Sequence, residues 1–168
     1  MEWVPNDPIA RALLGEQPSV RDVVGALDRA AEDDRVTGVF ARIGSPQVGF
    51  ARVQEMRDAV LRFRESGKPI VAWTDTFGEF GPGNGGYYLA SAFDTVHMQP
   101  SGAVGLTGIA IENSFRAGLY EKFGIEAEMG QRHEYKNAAN VHTETAFTAP
   151  HEEALEAILE SLFGQIVR

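Results

Sequence analysis

The chain has 168 residues, of which 43% are hydrophobic and 23% are charged, as is typical of one globular domain and not of a disordered chain. Its formal net charge is −9 at pH 7, and no basic cluster offers a surface for phosphates, so a nucleic-acid partner is not expected. The absence of cysteine excludes disulfides, thiolate nucleophiles and thiolate metal ligands.

The N-terminal segment 1–18 contains three prolines and little hydrophobic periodicity, which predicts an extended arm. It has no basic start followed by an apolar core, so a secretory signal is not expected there. No apolar run approaches the roughly 18 residues that a membrane span requires. We therefore expect a soluble chain without a transmembrane segment.

Helical periodicity and capping signals predict the first two helices. Ser19 and Asp22 form the pattern of a capping box, and the acidic turn 32–34 ends that helix. A second amphipathic helix begins near Phe50 and is closed by Gly67, a residue suited to the position after a helix C-terminus. A short helix over 86–92, a helix over 113–123 and an amphipathic C-terminal helix follow along the chain.

Short β-branched and apolar runs predict five strands. They are 35–44, 69–75, 94–100, 103–112 and 125–130. Strands that alternate with helical segments of about 10–15 residues predict a mostly parallel sheet in an α/β fold. Residues 19–168 are therefore expected to form one α/β domain.

The usual catalytic and ligand-binding patterns are missing. None of the serines lies in a G-x-S-x-G elbow, and the four histidines form no metal-binding spacing. The glycine-rich stretch 81–86 follows a predicted strand, but it lacks the Lys-Ser/Thr end of a phosphate-binding loop. No metal or other cofactor is expected.

Two features remain as candidates for a reaction site. Gly85 and Gly86, at the start of a predicted helix, would present backbone N–H groups that can bind an oxyanion or a substrate carbonyl; the alternative is a tight turn that needs glycine. Lys136 follows the last predicted strand; the alternative is a solvated surface charge. A lysine that acts as a base must be neutral, so its pKa must fall from about 10.4 towards 7–8 through burial.

Four sequence blocks in order carry a resemblance to a known family. They are DDRVTGVFARI, LRFRESGKPIVAW, GGYYLASAFDTVHMQPSGAVGLTGI and EKFGIEAEMGQRHEYKNA. Together they resemble the signal peptide peptidase A, or protease IV, family of serine peptidases with a Ser–Lys dyad, over roughly residues 19–168. The resemblance implies the Clp protease/crotonase-like fold of stacked ββα units.

The resemblance also implies roles for individual residues. Asn84, in the stretch NGGYY, occupies the position at which short members of the family carry the nucleophilic serine. Lys136, in the stretch EYKN, matches the lysine of the N-terminal half of long members, whose serine lies in a C-terminal half. This chain therefore resembles the N-terminal half of a long-form enzyme, with Lys136 as the general base and no nucleophile of its own.

The family further implies the setting of such an enzyme. It would be a tetramer associated with the bacterial inner membrane that degrades cleaved signal peptides, and the isolated chain would be inactive. One alternative is a non-catalytic domain of the same fold that assembles or presents substrate. Another is a crotonase-like enzyme acting on acyl thioesters, with the Gly85 and Gly86 N–H groups as its oxyanion hole.

Overall fold

The computed structural model describes residues 18–44, 49–79 and 81–167. The extended arm expected over 1–18 lies outside the described residues except at its last position. The chain divides into two compact units, the first ending at Thr107 and the second covering Gly108–Arg168.

The first unit is built on a three-stranded parallel sheet, which confirms the α/β prediction. Its strands are β1 (Val39–Arg42), β2 (Ile70–Thr74) and β3 (Thr95–Met98), in the spatial order β1-β2-β3. Its helices are α1 (Val20–Glu32), α2 (Phe50–Glu65) and α3 (Asn84–Ala90). Helix α1 precedes β1, α2 connects β1 to β2, and α3 lies between β2 and β3. Neighbouring strands run in the same direction, since each connection returns the chain to the same end of the sheet.

Local signals explain where the first two helices begin and end. The Ser19 hydroxyl accepts a hydrogen bond from the Asp22 N–H, while the Asp22 carboxylate accepts one from the Ser19 N–H, which confirms the capping box. After α2, Gly67 has a φ of +74°, a left-handed conformation that glycine adopts without steric cost.

One face of the sheet and the inner sides of the helices form the core. Ile70 and Ala72 of β2 pack with Val60 and Phe63 of α2, and Ala90 of α3 joins the same cluster. Leu27, on α1, is half-buried against it. Because β2 is the central strand, its buried positions alternate with half-buried ones along its length.

The predicted strand over 103–112 is wrong. Within the described residues this segment forms a single bridge, between Val104 and Phe77. Phe77 is followed by Gly78 with a φ of +88°, which turns the backbone away and leaves no further extended residue to pair. Gly108, with a φ of +75°, interrupts the second half of the segment in the same way.

The second unit is helical where it is regular. It contains α4 (Ala117–Lys122), a 3₁₀ turn (Asn137–Ala139), α5 (Asn140–Thr143) and α6 (Ala149–Ile166). The predicted strand over 125–130 is also wrong, since no described strand lies beside it to complete a ladder. Gly124, with a φ of +64°, ends α4, and the next N–H, that of Ile125, donates back to the Tyr120 carbonyl at 2.9 Å.

Candidate active site

The glycine-rich turn of the first unit delivers Asn84 to the first position of α3. The Asn84 side-chain oxygen accepts a hydrogen bond from the Thr107 N–H at 3.2 Å. Beside it, the Gly83 N–H donates to the Gly105 carbonyl at 2.8 Å, and the Gly105 N–H donates to the Phe77 carbonyl at 2.6 Å. The turn is therefore tied to the segment that follows β3.

Two glycines of this turn are required by close backbone approach. A Cβ at Gly83 would overlap the carbonyl oxygen of Phe77, and a Cβ at Gly78 would overlap the backbone of Gly81 and Gly83. Backbone atoms held by hydrogen bonds cannot move aside cheaply. The turn therefore owes its shape to the absence of side chains at these two positions.

The backbone N–H groups of Gly85 and Gly86 lie in the first turn of α3. Neither donates a backbone hydrogen bond to another residue in the described part of the chain. This agrees with the unpaired donors that every helix leaves at its N-terminus. Gly86 is buried and Gly85 is half-buried. Whether they receive an oxyanion stays a prediction.

Lys136 stands in an unusual backbone turn of the second unit. Its N–H donates to the His133 carbonyl at 3.2 Å, which closes a tight turn, and His133 has a φ of +69°. Lys136 itself has φ −82° and ψ +62°, and it immediately precedes the 3₁₀ turn. Its side chain is exposed in this chain. Positive φ at a non-glycine residue is uncommon, and such conformations cluster at functional sites.

Helix α6 contacts Tyr135, the residue before Lys136. The Tyr135 hydroxyl donates a hydrogen bond to the Glu153 carboxylate at 2.7 Å. That hydrogen bond, together with the negative charge of Glu153, raises the pKa of the Tyr135 phenol above its ordinary value. The contact connects the Lys136 turn to the second turn of α6.

A buried amide holds the two ends of the Lys136 segment together. The Asn140 side-chain oxygen accepts from the Gln131 amide at 3.2 Å, and the Asn140 amide nitrogen donates to the Thr148 hydroxyl at 3.2 Å. Asn140 is only 2% exposed, so its polar atoms must find partners within the protein. Thr148 is the N-cap of α6, and this network therefore fixes the Lys136 segment against the start of that helix.

Sequence reasoning missed this support. The signal that was available is Thr148 followed by Pro150, a combination typical of a helix N-terminus, which marks where α6 begins. The pairing of Asn140 with Gln131 and Thr148 has no local pattern, because it depends on the path of the whole segment.

His151, 3% exposed, packs against the rings of Phe115 and Phe147 at the start of α6.

The candidates fall in both units: Asn84, Gly85 and Gly86 belong to the first and Lys136 to the second. Across the described ranges, no group of three or more histidine, aspartate and glutamate side chains is arranged to hold a metal ion.

Comparison with known proteins places this arrangement in a family. Residues 62–168 match the family described as Peptidase family S49. The chain belongs to peptidase family S49. The matched region contains the glycine-rich turn at Asn84 and also the turn at Lys136.

Individual relatives agree with the family. The chain is 30% identical over 136 residues to "Serine protease SPPA, chloroplastic" of Arabidopsis thaliana, a match that covers 81% of this chain and 19% of that protein. It is 27% identical to "Protease 4" of Haemophilus influenzae and 28% identical to "Protease 4" of Salmonella typhi, with 71% and 73% of this chain matched.

The match covers only 19% of the length of each of these three relatives. No helix in the described part of this S49 chain is both long enough and apolar enough to cross a membrane.

Proposed function

We propose that this chain is the lysine-bearing N-terminal domain of a serine endopeptidase that degrades cleaved signal peptides. In this proposal Lys136 is the general base, and the nucleophilic serine lies in a C-terminal half of the same protein. The working enzyme would be a homotetramer at the bacterial inner membrane, without a cofactor. The isolated chain would be inactive.

The observation that carries the proposal is the state of Asn84 at the start of α3. An amide is not a nucleophile, and its oxygen is engaged by the Thr107 N–H. In this chain the Asn84 side chain therefore binds the backbone at the start of α3. In this proposal a peptidase that has asparagine in place of serine at this position takes its nucleophile from another part of the protein, and Lys136 is then the residue that this chain contributes.

The reaction assigns each group a separate task. Neutral Lys136 takes the proton from the serine hydroxyl as the serine oxygen attacks the peptide carbonyl carbon, and the same proton then passes to the leaving amine. Water then attacks the acyl carbon while Lys136 takes its proton, the bond to the serine oxygen breaks, and the proton passes to that oxygen, which restores the serine and releases the second product. Backbone N–H groups of a turn like that of Gly85 and Gly86 stabilise the oxyanion.

Because Lys136 is exposed in this chain, the proposed C-terminal half must supply the apolar surroundings that it needs. A lysine in water is protonated and cannot accept a proton, so the base requires apolar surroundings. In the proposed enzyme the C-terminal half covers Lys136 when it brings the serine to it, and burial then favours the neutral amine.

The test compares variants of the longer protein that this proposal requires. Lys136→Ala and Lys136→Arg are both expected to reduce peptide hydrolysis by about a hundredfold or more, since arginine keeps the charge but cannot act as a base. Arg132→Ala, which removes an exposed cation from the same segment, is the matched control and is expected to retain activity. Undiminished hydrolysis by Lys136→Arg would contradict the role of Lys136.

The exposed position of Lys136 also favours a second function, a non-catalytic domain that assembles the enzyme or presents substrate. In that case both Lys136 variants hydrolyse peptide normally. The reading frame beyond Arg168 separates the two functions independently. The endopeptidase requires a downstream serine in a Ser-Gly-Gly-Tyr context, whereas a stop codon directly after Arg168 favours the non-catalytic function.

A further inference from the structure

The segment that carries Lys136 is closed into a loop by a side-chain contact between its two ends. The Gln131 amide nitrogen donates to the Asn140 side-chain oxygen at 3.2 Å, across nine positions of the chain, and Lys136 lies near the middle of this loop. Inside it, the Lys136 N–H donates to the His133 carbonyl, and His133 has a φ of +69°. The backbone at Lys136 is therefore confined from both sides.

The hydroxyl of Thr148 has an unusual partner for a residue at a helix N-cap. A threonine at this position usually accepts a hydrogen bond from an N–H in the first turn of its own helix. Among the described residues, Thr148 makes no such side-chain contact with α6. Its hydroxyl instead accepts the Asn140 amide N–H at 3.2 Å. The side chain that could cap α6 therefore attaches the Lys136 loop to the start of this helix.

Asn140 makes this attachment from a buried position. It is 2% exposed, whereas Tyr135, whose hydroxyl donates to Glu153 of the same helix, is 52% exposed. Water competes for the partners of an exposed hydrogen bond, whereas a buried polar group that loses its partner remains unsatisfied. Of these two contacts between the loop and α6, that of Asn140 is therefore the stronger restraint.

We propose that Asn140 and Thr148 are positioning residues for Lys136. This inference rests on the proposed function, in which a serine from the C-terminal half must come within hydrogen-bond distance of the Lys136 amine. A displacement of about 1 Å between reacting groups can lower a rate by as much as about a hundredfold. Neither residue touches substrate in this assignment. Both hold the loop against α6, so that the amine lies where the serine oxygen arrives.

The test uses the longer protein that the proposed function requires. Thr148→Val keeps the branched shape of the side chain and removes its hydroxyl, whereas Thr148→Ser keeps the hydroxyl. Thr143→Ala, at an exposed position of α5 outside this network, is the matched control. Hydrolysis of a peptide p-nitrophenyl ester, whose good leaving group keeps slow variants measurable, gives kcat and KM. The same assay is made of Lys136→Ala with and without Thr148→Val, and circular dichroism checks that each variant folds.

We expect Thr148→Val to lower kcat about tenfold while KM stays within about twofold. Thr148→Ser and Thr143→Ala are expected to stay within about threefold of the unchanged protein. In the Lys136→Ala background, Thr148→Val should cause no further loss, because the amine that the network positions is already gone. A further tenfold loss in that background would indicate a merely structural role and overturn the proposal. A loss confined to KM, or an equal loss in Thr148→Ser, would also overturn it.

The same measurements separate the failure of this inference from the failure of the proposed function. If Lys136→Ala hydrolyses the ester as fast as the unchanged protein, Lys136 is not the base, and both fail together. If Lys136→Ala is impaired while Thr148→Val keeps full activity, the positioning role alone fails. Asn140→Ala removes both contacts of the network and should lower kcat at least as much as Thr148→Val; a smaller loss would contradict the assignment.

Discussion

The two units of the chain differ in the kind of side chain that they bury. In the first unit the buried side chains are mostly apolar, and most of these form one cluster between the sheet and its helices. In the described part of the second unit the only buried residues are Asn140 and His151, both polar, while large apolar side chains such as Phe123 and Phe163 are exposed. The first unit therefore has an apolar core of its own, whereas the described part of the second is organised by hydrogen bonds such as those of Asn140 beside the Lys136 turn.

The sharpest way to break this comparison is to remove one phenylalanine from each unit. Phe63→Ala in α2 deletes a ring that is 1% exposed and is expected to lower the free energy of unfolding by about 3–5 kcal/mol. Phe163→Ala in α6 deletes a ring that is 56% exposed and is expected to change it by less than about 0.5 kcal/mol in dilute, monomeric chain. Urea denaturation with hydrogen exchange of β2 amides measures both, and equal effects would refute the contrast.

The glycine-rich turn offers a test at the boundary of the first unit. Gly83→Ala places a Cβ against the Phe77 carbonyl oxygen and is expected to cost about 1–3 kcal/mol of stability. Gly81→Ala is the matched control, because no atom lies within 4 Å of its added Cβ. Thermal unfolding of the two variants measures the difference, and we expect exchange to accelerate at the Gly105 and Thr107 amides only in Gly83→Ala. Identical melting of the two would show that the turn relaxes freely.

A substitution of Asn140 tests the contribution of its hydrogen bonds to the stability of the second unit. Asn140→Ala leaves the Gln131 amide and the Thr148 hydroxyl without their partner and is expected to cost about 1–3 kcal/mol. Hydrogen exchange is expected to accelerate over 131–153 and to stay unchanged in β1 and β2. Thr143→Ala, at an exposed position of α5, serves as the control. Faster exchange in the sheet would mean that the two units are not organised separately.

Sequence patterns predicted the first unit well because its elements are stabilised locally. The capping box at Ser19 and the glycine stop at Gly67 are read from neighbouring residues, and the three strands of the sheet lie within the runs that predicted them. The predicted strands 103–112 and 125–130 also suit a sheet by composition, but within the described residues neither forms a ladder, and the first has only the bridge between Val104 and Phe77. Composition reports that a segment suits a sheet, whereas pairing depends on a neighbouring strand.

The two parts of the candidate site also differ in how far the sequence predicted them. Asn84 and its glycines were predicted at a turn before a short helix, and the structure has that turn, with the helix beginning two residues earlier than expected. The support of the Lys136 turn was not predictable, because Tyr135 meets Glu153 and Asn140 meets Thr148 only after the chain has turned back on α6. The catalytic role of Lys136 stays a proposal.

Acid is expected to weaken the first unit at Asp94. Its carboxylate accepts the Ile70 N–H at 3.1 Å and an Arg64 guanidinium N–H at 2.7 Å, and these contacts hold the pKa of Asp94 below its ordinary value. A lowered folded pKa adds stability above the unfolded value of 3.8 and loses it as pH falls through the folded value. Asp94→Asn should lower the urea midpoint at neutral pH, and this difference should shrink in acid. A difference that is constant with pH would contradict the assignment.

The smallest expected effect lies in the second unit, at the opposite end of the pH scale. Because the hydrogen bond to Glu153 raises the folded pKa of Tyr135, its contribution to stability is complete below the unfolded value of 10.0 and is lost as pH rises through the folded value. Absorbance titration of the chain, compared with Tyr135→Phe to isolate this phenol, should place its pKa above the ordinary range. Glu153→Gln should return it towards that range.

Limited proteolysis tests whether the contact of Tyr135 with Glu153 restrains the Lys136 turn. Ionisation removes the proton that the phenol donates to Glu153 and sets two negative charges side by side, so the contact with α6 should open. Limited proteolysis at pH 8 is expected to cleave Tyr135→Phe and Glu153→Ala, which both lack this hydrogen bond, faster than the unchanged chain within 131–137, while Asp94→Asn should not alter cleavage there. Equal cleavage of all four chains would show that the contact between Tyr135 and Glu153 does not restrain the turn.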